Sequence, residues 1–124
     1  MLNVVATNKA PQAIGPYSQA ISINGVIYTS GQIGLNLKGD LVQGIENQTR
    51  QVLSNLQEVL KQANSGLDKV IKTTVFLSDM QDFEKVNAVY AEFFGDHKPA
   101  RSTVAVKTLP RLALVEIECI ALAD

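Results

Sequence analysis

The chain has 124 residues, 46% of them apolar, with 11 lysines and arginines against 12 aspartates and glutamates. That length suits one domain over residues 1–124 with one ordinary core. The longest unbroken apolar run is the five residues Cys119 to Ala123, far short of the ~18 a membrane-spanning helix needs, and a net charge of −1 with no run of like charges argues against a dedicated nucleic-acid binder, which needs clustered basic surface.

In chain order, a short strand is expected at Asn3–Ala6. Tyr17–Ile23 and Val26–Ser30 then form a hairpin across Asn24-Gly25, because a type I′ turn needs positive φ at both central residues and Asn-Gly supplies it. The following Ser30-to-Asp40 segment contains Gly31, Gly34, Asn36 and Gly39 and reads as a loop, with Gly31 allowing the backbone to approach something closely. Apolar residues at 45, 52, 53, 56, 59, 60 and 63 have helical spacing and predict a helix over Ile45–Ala63, with polar residues between them. Asn64-Ser65-Gly66 ends it. Val70–Leu77 is rich in β-branched residues and predicts a strand. Asp79 and Asp82 resemble a capping box ahead of a second helix, whose stripe is Phe83, Val86, Tyr90, Phe93 and Phe94 and whose end is Gly95. Arg101–Val106 and Val115–Leu122 are the last strands, separated by a turn around Pro110.

The predicted class is therefore α+β, a five- or six-stranded sheet with two helices on one face. Apolar residues on both sheet faces predict that a partner subunit covers the second. Cys119 is the only cysteine and His97 the only histidine, which excludes an intramolecular disulfide and a Cys/His zinc site in one chain and suggests a reducing compartment. The first twenty residues lack the pattern of a targeting peptide, so a cytoplasmic location is expected.

Several polar residues stand out from this plan. Glu116 and Glu118 share one face of an otherwise apolar strand, because side chains alternate with period two; Cys119 then lies on the opposite face. Two such carboxylates are either paired or exposed for structural reasons, or they are there for chemistry. Arg101 opens its strand after Pro99 and offers a planar fork for a carboxylate; a surface ion pair is its plainer role. Tyr17 either closes over a ligand or is a half-buried aromatic. Asn87 interrupts an apolar stripe and faces either solvent or the end of the sheet. Ser30 lacks the context of a nucleophile elbow. Lys72 and Lys107 could form a Schiff base only if desolvated, and His97 reads as a loop residue.

Taken as an ordered set, Ala13-Ile14-Gly15-Pro16-Tyr17-Ser18-Gln19, Tyr28-Thr29-Ser30-Gly31-Gln32-Ile33, Val70-Ile71-Lys72-Thr73-Thr74-Val75-Phe76-Leu77, Val86-Asn87-Ala88-Val89-Tyr90, Pro99-Ala100-Arg101-Ser102-Thr103-Val104 and Val115-Glu116-Ile117-Glu118 closely resemble the RidA group of the Rid (YjgF-like) family of reactive-intermediate deaminases. The resemblance spans essentially the whole chain. It implies a chorismate-mutase-like fold, a homotrimer with sites in the clefts between subunits, and hydrolysis of enamines and imines to 2-keto acids and ammonia without cofactor or metal. The implied substrates are of the 2-aminoacrylate and 2-aminocrotonate type, with a functional link to the pyridoxal-phosphate dehydratases that produce them. Carried over by position, Arg101 holds the substrate carboxylate, Glu116 activates water, Tyr17 closes the cleft, Ser30 and Gly31 line it, and Asn87 is a further site residue.

One position departs from that pattern. Thr103 stands where RidA proteins usually have cysteine, two residues after the arginine, and alternation puts it on the side of Arg101 among the expected substrate-binding residues. Thr103 is no thiol nucleophile at neutral pH, which puts cysteine-dependent chemistry in doubt but not hydrolysis by a carboxylate and water. Two other functions are weighed against the deaminase: an endoribonuclease or translation inhibitor, opposed by the balanced charge and single histidine, and a non-catalytic trimer that binds small carboxylates through Arg101.

Overall fold

The computed structural model describes all of residues 1–124. Its strands are β1 (Asn3–Val5), β2 (Ala20–Ile23), β3 (Val26–Thr29), β4 (Gln32–Ile33), β5 (Val70–Leu77), β6 (Ala100–Ala105) and β7 (Val115–Leu122); its helices are α1 (Ile45–Gln62) and α2 (Phe83–Phe94). They form one sheet of seven strands rather than five or six, ordered β1-β2-β3-β7-β5-β6, with β4 also paired to β7. Only β5 and β6 run parallel, and α2 is the crossover that parallel neighbours require.

The hairpin forms as the Asn-Gly signal predicts: Ile23 pairs with Val26, and Asn24 and Gly25 have φ of 50° and 78°. Its first strand begins at Ala20, not Tyr17. The backbone of residues 17–19 turns away because the Gln19 side chain is buried and takes over local hydrogen bonding. Its Oε1 accepts from Thr7 N at 2.7 Å, and its Nε2 donates to Pro11 O at 2.8 Å.

The second correction is β4, inside the segment read as a loop. β3 pairs with Tyr28 opposite Ile120, and β4 resumes against the same strand with Gln32 opposite Ile117. Two residues are too few to show any period, so only the partner strand reveals it. Between them the ladder breaks. There the Thr29 hydroxyl accepts the Cys119 N–H at 3.0 Å, while Ser30 N donates to Gln19 O at 2.9 Å.

One face of the sheet carries the core. Val52, Leu53, Leu56, Val59 and Leu60 of α1 pack over Val75, Val115, Ile117 and Ala121, all nearly inaccessible. The polar positions of α1 are not all solvent-facing, as its pattern suggested: Gln48, Thr49 and Asn55 are buried. Gln48 Oε1 accepts from Leu114 N at 2.8 Å, and Asn55 Nδ2 donates to Leu35 O at 3.0 Å, tying the start of β7 and the segment after β4 to the helix. Asp79 caps differently from expectation. It accepts from Gln81 N at 2.9 Å and closes a 3₁₀ turn, Met80–Asp82, that leads into α2, while Asp82 makes no cap bond. The opposite sheet face has no helix. Val4, Tyr28, Val104 and Leu122 on it are about half exposed or more, an uncovered apolar surface of the expected kind.

Removing the Asn55 amide strands buried carbonyls behind β4. Asn55→Ala is expected to cost about 1–3 kcal/mol, read as a lower urea midpoint at fixed protein concentration with an unchanged m-value.

Candidate functional site

The expected residues fall into two groups on opposite faces of one sheet. The first lies in a cleft of about 670 Å³ whose lining includes Tyr17, Ser30, Gly31, Ile33, Glu116 and Glu118. β7 alternates buried and accessible residues along its length, with Ile117 and Cys119 in the core and Glu116 and Glu118 on the cleft side. At the break between β3 and β4 the backbone leaves the ladder opposite Glu118 and Cys119 and passes over the Glu116 side chain. Gly31 lies so close that a methyl group on its Cα would overlap the Glu116 carboxylate. The close approach expected at Gly31 is thus to a side chain of the same chain.

Burial, and then the neighbouring Glu118 charge, push the Glu116 pKa above the usual carboxylate range. Neither glutamate forms an ion pair; the three in the chain are Arg50–Glu92, Lys61–Glu58 and Lys69–Asp124. Ser30 Oγ donates to Ser18 O at 2.6 Å, so this hydroxyl braces the turn that presents Tyr17, whose side chain is about half exposed at the cleft.

The second group lies at β6, the edge strand. Arg101 pairs in register with the buried Thr73, and Thr103 with the buried Val75, so both point to the helix-covered face, away from Glu116. Phe83, Asn87 and Tyr90 come from one face of α2 at i, i+4 and i+7 and form a cradle for the guanidinium. Arg101 Nη1 donates to Asn87 Oδ1 at 2.7 Å, and the guanidinium carbon sits 4.9 Å from the Tyr90 ring centroid and 5.6 Å from that of Phe83. Tyr90 is fixed in turn by a 2.7 Å hydrogen bond with Thr73, and burial raises its pKa, keeping the phenol neutral. Arg101 has no carboxylate partner within the chain, so the rest of its fork is free. The Thr103 hydroxyl oxygen is buried with no hydrogen-bond partner.

The contacts of Phe83 and Tyr90 with Arg101 were not foreseen from the sequence, where both residues stood only in the apolar stripe of the helix; their spacing around Asn87 was the available signal. Lys72 Nζ donates to Ser102 Oγ at 2.7 Å and Lys107 is exposed, so neither is a desolvated amine. His97 Nε2 bonds to Val70 O at 2.7 Å. Cys119 is buried opposite Glu116, with its pKa pushed up to about 11 by desolvation, which keeps it an inert thiol.

A raised carboxyl pKa binds the proton more tightly in the folded chain than in the unfolded one. Its stability contribution is therefore greatest below the ordinary carboxylate range and falls as pH rises through the folded-state value. Glu116→Gln is expected to flatten that decline, seen as a smaller drop in Tm between pH 4 and pH 7 than in the parent. Gly31→Ala is expected to displace the carboxylate and change its titration, followed by NMR of a carboxyl-labelled glutamate.

The family model described as Endoribonuclease L-PSP matches residues 7–123. A RutC family protein of Pyrococcus horikoshii is 51% identical over 123 residues, 98% of each chain. A mouse 2-iminobutanoate/2-iminopropanoate deaminase is 49% identical over 120 residues, covering 95% of this chain and 89% of its own. The crystal structure of E. coli TdcF with bound serine superposes with a TM-score of 0.94 at 36% identity, over 98% of this chain and 99% of that one. With its fold and its ordered motifs in agreement, the chain belongs to the Rid/YjgF family of L-PSP proteins.

Proposed function

We propose that this protein is a hydrolytic deaminase of small 2-imino acids and their enamine tautomers, acting as a homotrimer. The observation that carries the proposal is the separation of two complementary half-sites. An unpaired Arg101 in its α2 cradle and a desolvated Glu116 in the cleft lie on opposite faces of one sheet, so a second copy must bring one to the other. The uncovered apolar face gives that copy a surface to bury. The mouse relative's activity supports the chemistry, and the serine on E. coli TdcF supports a ligand with a carboxylate.

In this reading Arg101 binds the substrate carboxylate through its free N–H groups and Tyr17 closes the cleft. Glu116 takes a proton from water as the oxygen adds to the C=N carbon. It returns that proton to nitrogen, and the carbinolamine collapses to a 2-keto acid and ammonia. An imine is already electrophilic, so positioning and one acid–base group suffice. A carboxyl whose pKa is raised by desolvation holds a proton more readily, which suits a group that takes a proton and then returns it. No metal or cofactor takes part in these steps. The balanced charge and the single histidine of the chain favour this reading over ribonuclease action.

Sedimentation at micromolar concentration should give about three times the 13.4 kDa chain mass; a stable monomer refutes the shared site. The activity test generates the enamine with a serine or threonine dehydratase and follows loss of imine. Glu116→Gln should lower kcat/KM by about 10²–10⁴-fold with the assembly intact, and Glu118→Gln should leave it nearly unchanged. Arg101→Lys, which keeps the charge and loses the fork, should cost about 2–4 kcal/mol in transition-state stabilisation.

A further inference from the structure

In the turn before β7, Arg111 and Leu112 are consecutive non-glycine residues with φ of 57° and 58°. The left-handed region is unfavourable for both, and such conformations persist only where their surroundings hold them. Here the buried Leu109 and Ala113 anchor the turn on either side, and Leu112 N and Ala113 N donate to Leu109 O and Pro110 O at 3.1 Å each. The result is a fixed presentation of Arg111, which lines the same cleft as Glu116 and Tyr17.

Arg111 forms no ion pair, unlike Arg50 with Glu92. Its single hydrogen bond, Nη1 to Gly39 O at 2.8 Å, spans from the turn to the loop after β4 and leaves the remaining N–H donors of the fork free. Gly39 is itself held by a tight turn, in which the Asn36 side chain accepts from Lys38 N and Asp40 N at 3.0 Å each. An exposed cation with spare donors therefore stands in the lining of the cleft, whose volume in the single chain is about 670 Å³.

We infer that Arg111 is a specificity-determining residue that binds a second anionic group at the far end of the substrate, so that the cleft accepts 2-imino dicarboxylic acids as well as short monocarboxylic ones. The inference rests on the deaminase reading. The hydrolysis is unchanged: water adds to the C=N carbon, ammonia leaves, and the distal carboxylate stays unreacted on Arg111.

The test compares two imines made in situ by amino-acid oxidases, 2-iminopropanoate from alanine and 2-iminoglutarate from glutamate, in the parent, Arg111→Gln and Arg111→Lys. Gln retains a donor for Gly39 O but no charge. The expected result is a fall of about 10–100-fold in kcat/KM for 2-iminoglutarate in Arg111→Gln, the value of one charge-assisted contact. Arg111→Lys should restore part of it, and 2-iminopropanoate rates should not change. Turnover of 2-iminopropanoate by the parent with no turnover of 2-iminoglutarate overturns this inference alone. So does an equal effect of Arg111→Gln on both substrates, which marks the residue as a strut between two loops, or no effect on either. Failure of the parent on both imines overturns the deaminase reading and this inference with it.

Discussion

The placement of the candidate site residues depends on the strict alternation of β7. Its odd-numbered residues must be apolar because α1 covers that face, and Ile117 has no accessible surface. Every even-numbered side chain is thereby committed to the other face, so Glu116 and Glu118 are held in position by the core behind them rather than by ion pairs. A slip of one residue would bury two carboxylates under α1 and expose the core, a penalty far above any gain from re-pairing. The register that stabilises the fold is thus the same register that places the carboxylate.

The break between β3 and β4 refines that placement. A continuous strand would have paired along β7 from Glu116 to Leu122, whereas the break leaves Glu118 and Cys119 out of the ladder. Instead Thr29 satisfies the Cys119 amide with its side chain, and Gly31 passes the carboxylate without a Cβ. The backbone cost is covered locally, as buried polar groups demand.

Much of this was legible in the residues. The Asn24-Gly25 hairpin, the two helices, the shared face of Glu116 and Glu118 and the opposite placement of Cys119 all follow from local turn chemistry or simple periodicity. Two kinds of feature were not. β4 and the late start of β2 are set by distant partners, β7 and the Gln19 network, and leave no local pattern. Gln48 and Asn55 look like surface residues of α1, yet each is buried because a loop carbonyl or amide needs a partner there. The ordered motifs brought Arg101 and Asn87 into view, while the aromatic cradle around Arg101 needed the packing of α2 on β6 to become visible.

Placing Arg101 and Glu116 on opposite faces also has a genetic meaning. On the two-copy reading, each site draws its arginine from one chain and its carboxylate from another. A chain damaged at Arg101 and a chain damaged at Glu116, each inactive alone, would meet in a mixed assembly with one interface carrying both lesions and another carrying neither. Two defective alleles could then complement one another inside a single assembly.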